Sequence, residues 1–542
     1  MKQQAKKNDR LYIFILLGIV IFSFLLYRNS LSNELLHFDD SEYFAAHPEV
    51  SHLSWSALKT FFSSYYLLMY QPLPVLFLSL NYHFSGMNPS PMHLFNLLLH
   101  LINIILVFRL VGLLFRNRNI ALIIAFIFAI HPMNVEAVSW ISARSSGMYT
   151  CFYLLSLIFY IRYVNLDLKT RFFIYSFLFF VLSLFSKSQA VTLPLVLILI
   201  DLFYQRKLVT GKVILEKIPF FILSIIFSWI TINNPSAKEI MTKGMLANYS
   251  PLDDFFMVCY SFGFYMVRFL APFNLCAAYV YPPKTGSLLP FGYYLSPLIL
   301  VAAGLLIYRF RRIKFVKFGA LLFLETIFIN IQLIPSRLVI VADRYGYFPY
   351  LGLMIISVAL IKQLIDQYPL LFRKYKTAGL ALLLCYAAFF SVTLVSRNAT
   401  WNNDYVFMSD MINKNPPVPY LYRAYGTRGN WLKRQNRPEE ALQDYSKAID
   451  LKPDNALAYV NRASLNMQRK AFHEVISDAD KAIALNYRPA AIFQIRSVAK
   501  FYQGDFAGAL GDCDQCIRLD STRKELFELR SVILDSLKGF FP

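Results

Sequence analysis

Two adjacent carboxylates, Asp39 and Asp40, follow the first long apolar run of the chain almost directly. Acidic side chains beside lipid are costly unless they face water or carry chemistry. A carboxylate within hydrogen-bond reach of a weakly nucleophilic hydroxyl can accept its proton during attack. The pair therefore predicts a general base, with Asp39, the first acid after the membrane, preferred. The local alternative is a helix cap, because Asp39-x-x-Glu42 has the form of a capping box.

Three cations, Arg144, Lys187 and Arg344, occur in segments that are otherwise poor in Lys and Arg. Each cation alone is explained by a side chain that reaches toward lipid headgroups. Together they favour phosphate binding, since a lipid phosphate at the membrane surface needs cationic partners. Such cations also stabilise the charge that grows on a phosphate as it leaves.

Two further sets of polar residues have helical spacing. His93, Asn96 and His100 recur at i, i+3 and i+7, so they share one helix face that either lines a site or packs between helices. On one continuous helix Glu136, Trp140 and Arg144 would also line one face. The alternatives for this second set are a charge network at the membrane edge and an interfacial anchor at Trp140.

The elements that must position these residues are membrane helices. Of the 542 residues, 57% are hydrophobic and 16% are charged, which is too apolar for a soluble protein of this size. Apolar runs predict about 11 or 12 spans, the first a retained anchor rather than a signal peptide. The run 253–271 is ambiguous, and the others are 11–28, 94–115, 119–139, 146–165, 171–187, 189–205, 214–233, 291–309, 318–335, 346–364 and 377–396.

The net charge of +21 is concentrated in short connections that alternate with loops poor in Lys and Arg. This alternation follows the positive-inside rule and does not indicate nucleic-acid binding. It predicts a cytoplasmic N-terminus. Asp39, the segments 131–145 and 336–345, and everything after about residue 397 would lie on the opposite side. The six cysteines form no evident disulfide framework.

The C-terminal part is a repeat array. Similar segments begin at residues 438, 472 and 506, and this period of 34 is that of tetratricopeptide repeats. Stacked helix pairs of this kind form a concave groove that either holds an extended segment of another protein or serves as a spacer. Cys513-x-x-Cys516 falls on packing positions of a repeat helix, which favours core filling over redox chemistry. The predicted domains are a membrane domain over 1–400, with its first outer loop at 29–93, and a soluble repeat domain over 415–542.

Five motifs together resemble the TMTC-type transmembrane-and-TPR O-mannosyltransferases and their bacterial relatives, which are GT-C membrane glycosyltransferases. The motifs are Asp39-Asp40, the segment Pro89 to Asn96, His131-Pro132-x-x-Val135-Glu136-Ala137-Val138-Ser139-Trp140-Ile141-x-x-Arg144, Lys187, and Asp343-Arg344-Tyr345-Gly346-Tyr347. The resemblance implies an all-α fold: a polytopic GT-C membrane domain followed by a TPR α-solenoid.

The resemblance also implies an activity on the periplasmic or lumenal side. A single mannose-like sugar would move, with inversion, from a polyprenyl-phosphate donor to a Ser or Thr hydroxyl of a protein held by the TPR groove. Asp39 or Asp40 would be the base, and Arg144, Lys187 and Arg344 would face the donor phosphate. Site-lining residues would be His93, Asn96, Glu136, Trp140 and Tyr345. No cofactor besides the lipid-linked donor, and no divalent metal, is expected.

Three other functions compete with this expectation. A GT-C transferase could modify a glycolipid instead of a protein. A membrane-anchored TPR scaffold would have no catalytic role, but it would not need about a dozen spans. A transporter would carry paired internal repeats and polar residues at mid-bilayer, and the sequence of the membrane half shows no such repeat.

Overall fold

In the computed structural model, the described residues are 2–166, 168–235, 249–331 and 339–540. They are predominantly helical, as predicted, and the chain divides into two compact units, Met1–Asn403 and Asp404–Pro542. The helices of the first unit are α1 Lys2–Tyr27, α2 Glu42–Ala45, α3 Trp55–Ser63, α4 Pro72–Ser85, α5 Pro89–Phe115, α6 Arg118–Ile130, α7 Val135–Ser139, α8 Arg144–Asn165, α9 Thr170–Ser186, α10 Leu193–Phe203, α11 Gly211–Ile232, α12 Pro251–Leu270, α13 Phe291–Arg309, α14 Lys314–Ile327, α15 Tyr350–Gln367, α16 Pro369–Lys374 and α17 Lys376–Ala399.

Seven of the described helices are long and apolar enough to cross a membrane: α1, α5, α8, α11, α13, α15 and α17. They coincide with seven of the eleven predicted apolar runs. The other four runs, 119–139, 171–187, 189–205 and 318–335, fall in shorter or broken helices, and 332–335 lies outside the described residues. The ambiguous run 253–271 is the helix α12, whose first turn carries Asp253 and Asp254.

The predicted span 119–139 is broken at His131-Pro132. Helix α6 ends at Ile130, and the segment from Pro132 to Ser139 is bent from it by 58°. His131 has extended backbone angles, as expected for a residue before proline, and its Nδ1 accepts the N–H of Met133 at 3.3 Å. Because Trp140 is also extended, the prediction that Glu136, Trp140 and Arg144 share one helix face is wrong.

A second break occurs at Lys187. Helix α9 ends at Ser186, Lys187 has φ −164° and ψ 139°, and a 3₁₀ turn over Ser188–Thr192 leads into α10. The two predicted runs 171–187 and 189–205 therefore join at the lysine. Since α9 packs along α8, and the 3₁₀ turn also contacts α8, the break carries Lys187 to that helix.

The predicted outer loop 29–93 is folded rather than irregular. It contains α2, α3, α4 and the first turn of α5. Its apolar residues form a core of their own, which includes Tyr43, Val50, Phe61, Tyr66 and Val75. The two short strands β1 Tyr279–Val280 and β2 Val339–Val341 pair antiparallel and lead into a 3₁₀ turn over Asp343–Gly346.

The second unit is a stack of helix pairs. Its helices are α18 Asp404–Lys414, α19 Tyr422–Arg434, α20 Pro438–Leu451, α21 Ala456–Gln468, α22 Phe472–Ala484, α23 Ala490–Tyr502, α24 Phe506–Leu519 and α25 Lys524–Phe540. Helix α18 belongs to this unit and precedes the predicted start at residue 415. Cys513 and Cys516 are fully buried in the apolar cores of the stack. This location agrees with the prediction that the two side chains fill the core.

A ladder of buried ion pairs repeats with the same period. Arg428, Arg462 and Arg496 each lie on the first helix of a pair and bind, bidentately, an aspartate on the second helix sixteen residues later. The third guanidinium nitrogen of Arg462 donates to Ser446 of the preceding pair at 3.0 Å. Each arginine therefore joins its own helix pair to a neighbour.

We expect Arg462→Met to lower the free energy of unfolding of the 404–542 unit by ~2 kcal/mol, because Asp478 would stay buried without its partner. Urea unfolding followed by circular dichroism measures this change. Arg437→Met is the matched control, since Arg437 and Glu440 form an exposed pair, and its midpoint should equal that of the wild type. Equal midpoints for all three proteins would show that the ladder does not stabilise the stack.

Candidate functional site

The N-terminus of α8 is the structural centre of the predicted site. The helix begins at Arg144, and its N-cap residue, Ala143, supplies no side-chain hydrogen bond to the first turn. The first N–H groups of a helix have no partner within the helix, and the aligned peptide dipoles make this end partially positive. A helix N-terminus of this kind is a general anion-binding feature.

Arg144 is buried at this N-terminus, with 2% of its surface exposed. Its Nη1 donates to Asn81 Oδ1 at 3.1 Å, and its Nε lies 3.4 Å from the carbonyl oxygen of Ile141. The guanidinium also lies 5.4 Å from the ring centroid of Phe95. Among the described residues, none accepts a hydrogen bond from the buried Nη2. One charged donor of Arg144 thus stays available for an anion.

Lys187 reaches the same turn of α8 from the break between α9 and α10. Its Nζ donates to Ser146 Oγ at 2.6 Å, and 4% of the residue is exposed. The ammonium lies 5.9 Å from the ring centroids of both Tyr149 and Tyr345. The structure therefore brings Lys187 within one helical turn of Arg144 and into contact with the 3₁₀ turn that contains Arg344.

Arg344 has a counter-ion of its own. Its main-chain N–H donates to Glu136 Oε2 at 2.8 Å, and its Nη1 forms an ion pair with Glu136 Oε1. The guanidinium lies over the rings of Trp140, at 5.1 Å, and Tyr345, at 4.9 Å. Burial lowers the pKa of Arg344, but the charge and hydrogen bond of Glu136, together with the charges of Tyr345 and Asp39, outweigh burial and raise that pKa above its ordinary value. Glu136 therefore fixes Arg344 and does not pair with Arg144.

The two adjacent acids have different environments. Asp40 is 1% exposed, and its Oδ1 accepts the main-chain N–H of Ser142 at 2.9 Å and the Ser142 hydroxyl. Its Oδ2 accepts the N–H of Leu36 at 3.3 Å. Burial raises the pKa of Asp40 to about 6, and the hydrogen bonds and Arg144 offset only part of that effect. Asp40 thus holds the 141–143 turn directly before Arg144.

Asp39 is partly exposed, and its charge acts on Arg344 and on the Tyr43 hydroxyl. Helix α2 begins at Glu42, its N-cap is Ser41, and no side chain caps it. The alternative prediction of an Asp39-x-x-Glu42 capping box is therefore wrong. Of the two acids, Asp39 is the more exposed.

The polar face of α5 packs against the segments around Trp140 and Tyr347. His93, Asn96 and His100 are all buried, as their shared face allows. Asn96 Nδ2 donates to the carbonyl oxygen of Trp140 at 2.8 Å, and His100 Nδ1 lies 2.8 Å from the Tyr347 hydroxyl. Trp140 is 3% exposed and stacks on Trp401 at 5.4 Å, so the alternative of an interfacial anchor is wrong.

A buried ion pair that the sequence reasoning missed holds the turn carrying Arg344. Asp343 Oδ2 lies 3.2 Å from Arg397 Nη2, and Asp343 Oδ1 accepts the Tyr279 hydroxyl at 2.8 Å. Burial raises the pKa of Asp343 to about 7, although Arg397 opposes that shift. The available signal was Arg397 itself, a cation at the end of the last apolar run that is predicted to be on the Lys- and Arg-poor side.

The buried Asp40 gives the stability of the protein a defined pH dependence. Its folded-state pKa of about 6 is higher than the ordinary value of 3.8, so its contribution is present at low pH and lost as the pH rises through about 6. Asp40→Asn keeps an acceptor for Ser142 but cannot ionise. We expect the difference in free energy of unfolding between this variant and the wild type to shift by about 2 to 3 kcal/mol in favour of the variant as the pH rises from about 4 to about 7.

Thermal unfolding in detergent at the two pH values measures this difference. The exposed Glu42, replaced by Gln, is the control and should unfold like the wild type at both values. A difference between Asp40→Asn and the wild type that does not change with pH would contradict the assignment.

The chain is similar to known proteins. The TPR repeat family matches residues 429–469. Protein O-mannosyl-transferase TMTC1 of Homo sapiens is 37% identical over 94 residues, which are 17% of this chain and 11% of the relative. TMTC1 of Mus musculus is 33% identical over 150 residues, 26% of this chain and 16% of the relative. The tmtc2 protein of Xenopus laevis is 32% identical over 189 residues, 32% of this chain and 22% of the relative.

Solved structures also share features with the chain. The archaeal oligosaccharyltransferase AglB from Archaeoglobus fulgidus superimposes with a TM-score of 0.40 at 14% identity, over 77% of this chain and 59% of AglB. The first TPR domain of human RPAP3 gives a TM-score of 0.21 at 26% identity, over 22% of this chain and 95% of that domain.

The matched segments cover only 11% to 22% of the length of the three relatives described. The names of these relatives and the TPR match agree with the family that the motifs resemble. The predicted resemblance is confirmed: the chain is a multi-pass, TPR-bearing membrane protein similar to the TMTC protein O-mannosyl-transferases.

Proposed function

We propose that the chain is a GT-C-type membrane glycosyltransferase that moves a single mannose-like sugar from a polyprenyl-phosphate donor to an acceptor hydroxyl. One observation carries the proposal: Arg144 begins α8, Lys187 binds Ser146 in its first turn, and Asp40, the neighbour of the partly exposed Asp39, binds Ser142 directly before it. The set combines an accessible base with an anion site. The similarity to the TMTC relatives, which are named protein O-mannosyl-transferases, supports the same reaction class.

The donor phosphate would bind at the N-terminus of α8. The free Nη2 of Arg144, the ammonium of Lys187 and the first-turn N–H groups are all positive or donor groups. Charge-assisted hydrogen bonds of this kind are about twice as strong as neutral ones. Arg344 is a weaker candidate for direct contact, because Glu136 already neutralises its charge. Its charge would act mainly on the Asp39 carboxylate and, at longer range, on the phosphate.

The reaction would be a single displacement. Asp39 would accept the proton of the acceptor hydroxyl while its oxygen attacks C1 of the sugar, and the bond from C1 to the phosphate oxygen would break. One base is enough for this step, unlike the acid and base pair of a glycosidase, and the configuration would invert. Cations on the phosphate stabilise the growing charge, and therefore the chemistry would need no divalent metal.

The acceptor would be a Ser or Thr hydroxyl of a protein bound in the groove of the TPR stack. Stacked helix pairs expose a concave surface of this kind, and the TPR match supports a protein-binding unit. The charge distribution favours a cytoplasmic N-terminus, with the site and the TPR unit on the periplasmic or lumenal side.

Mass spectrometry of periplasmic or lumenal glycoproteins tests the function. We expect hexose-modified Ser and Thr residues in cells with the wild-type chain, and their loss with Asp39→Asn, because removing a general base lowers the rate by about 100-fold or more. Asp40→Asn and the control Glu42→Gln should retain the modification. Loss of sugar from glycolipids only would support the glycolipid alternative. Full modification by Asp39→Asn would exclude Asp39 as the base. Unchanged glycosylation in cells that lack the chain would favour the alternative of a membrane-anchored TPR scaffold without catalytic activity.

Donor binding tests the phosphate site separately. In EDTA, the purified wild-type protein should bind polyprenyl phosphate, and Arg144→Met and Lys187→Met should each weaken the affinity by about 10-fold or more, because each removes a charge-assisted contact. Lys317→Met replaces an exposed lysine at the start of α14 and is the control. Wild-type affinity in both variants, or binding that requires a divalent metal, would contradict this site.

A further inference from the structure

A second polar cluster lies next to Lys187, on the 3₁₀ turn over Ser188–Thr192. Gln189 is 3% exposed and donates from Nε2 to Asn330 Oδ1 at 3.1 Å. Its Oε1 is buried, and no described residue donates a hydrogen bond to it. Thr192 Oγ1 donates to the carbonyl oxygen of Gln189 at 3.0 Å and lies 3.1 Å from the Tyr153 hydroxyl.

Glu325 belongs to the same cluster. It lies on α14, which packs against the Ser188–Thr192 turn, and its charge acts on the Tyr153 hydroxyl. Its Oε2 is buried and receives no hydrogen bond, and no cation of the described segments forms an ion pair with it. A carboxylate in an apolar unit without a counter-ion is costly, and such residues commonly mark functional sites.

The chemistry of the two unsatisfied atoms limits what could bind. Both Gln189 Oε1 and Glu325 Oε2 are acceptors, so the partner must donate hydrogen bonds. An anion would be repelled by Glu325, and an apolar group would leave both oxygens unsatisfied. Neutral hydroxyl groups meet both requirements. Gln189 follows Lys187 by two residues, so a phosphate on the lysine would bring its attached sugar near this turn.

We infer that Gln189 and Glu325 bind hydroxyl groups of the sugar that the lipid phosphate carries, an inference that rests on the proposed function. Lys187 would then hold the phosphate while the adjacent turn recognises the sugar. A site built to hydrogen-bond a hydroxyl rejects a ligand without it, because its buried polar atoms are left unpaired. The cluster is therefore a determinant of which sugar is used.

The test compares two lipids that differ only in the sugar. Binding of polyprenyl phosphate and of polyprenyl-phosphate mannose to the full-length protein in nanodiscs is measured for the wild type, Glu325→Gln and Gln189→Met. Both substitutions nearly conserve side-chain volume. We expect each variant to bind the mannose-bearing lipid about 10-fold more weakly, since a hydrogen bond to the sugar is lost. Affinity for the bare lipid should change less than about twofold. Asp366→Asn, at an exposed position of α15, is the control.

Each other result would overturn the inference in a recognisable way. If the variants bound both lipids more weakly by the same factor, the two residues would maintain the conformation of the turn at Lys187 and would not contact the sugar. Wild-type affinity of both variants for the mannose-bearing lipid would exclude sugar contact. An effect of Glu325→Gln that appears with Mg²⁺ but not in EDTA would identify a cation site. If the wild type bound neither lipid, the donor assignment of the proposed function would fail together with this inference, whereas the first three results leave that assignment intact.

Discussion

The membrane unit depends on how it keeps a helix N-terminus and several charges stable inside an apolar bundle. Burying an unpaired charge is far more costly than burying a hydrogen-bonded pair. Around the start of α8 the structure meets this constraint locally. Asp40 binds the turn before Arg144, Glu136 binds Arg344, and Asp343 binds Arg397. The last two contacts fix the positions of Arg344 and Arg397.

The same contacts assign different roles to side chains that look alike in the sequence. Asp39 and Asp40 are neighbours, but hydrogen bonds from Ser142 and Leu36 occupy both oxygens of Asp40. Arg144 and Arg344 are both cations of the predicted phosphate site, but Glu136 binds Arg344, whereas Arg144 retains a buried nitrogen for which the described part of the chain offers no acceptor. Burial and pairing, rather than residue type, separate the groups that position the site from those that can meet a ligand.

Periodicity was sufficient to predict the repeat stack and seven long apolar helices. It separated the runs 171–187 and 189–205 at the observed break, but it carried 119–139 through as one span although Pro132 is a local signal for a break there. The contact between α8 and the 3₁₀ turn after Lys187 is not visible in any spacing. Nor could periodicity predict partners distant in sequence: Glu136 and Arg344 are separated by 208 positions. The arginines and aspartates of the TPR ladder recur in the sequence with a spacing of sixteen. Only the packing of the helix pairs shows that each such arginine binds the aspartate.

Charge conservation gives a physical reason for the arrangement around α8. In the proposed reaction, a phosphodiester with one negative charge becomes a phosphomonoester with two, while Asp39 changes from a carboxylate to a neutral acid. The total charge of the site is the same before and after transfer, and only its position moves, from Asp39 toward Arg144 and Lys187. Moving charge within a preorganised set of dipoles requires little rearrangement, whereas creating net charge in an apolar region would be unfavourable. In the proposed reaction, Asp39, Arg144 and Lys187 would therefore carry the step, with Asp40 holding the turn directly before Arg144.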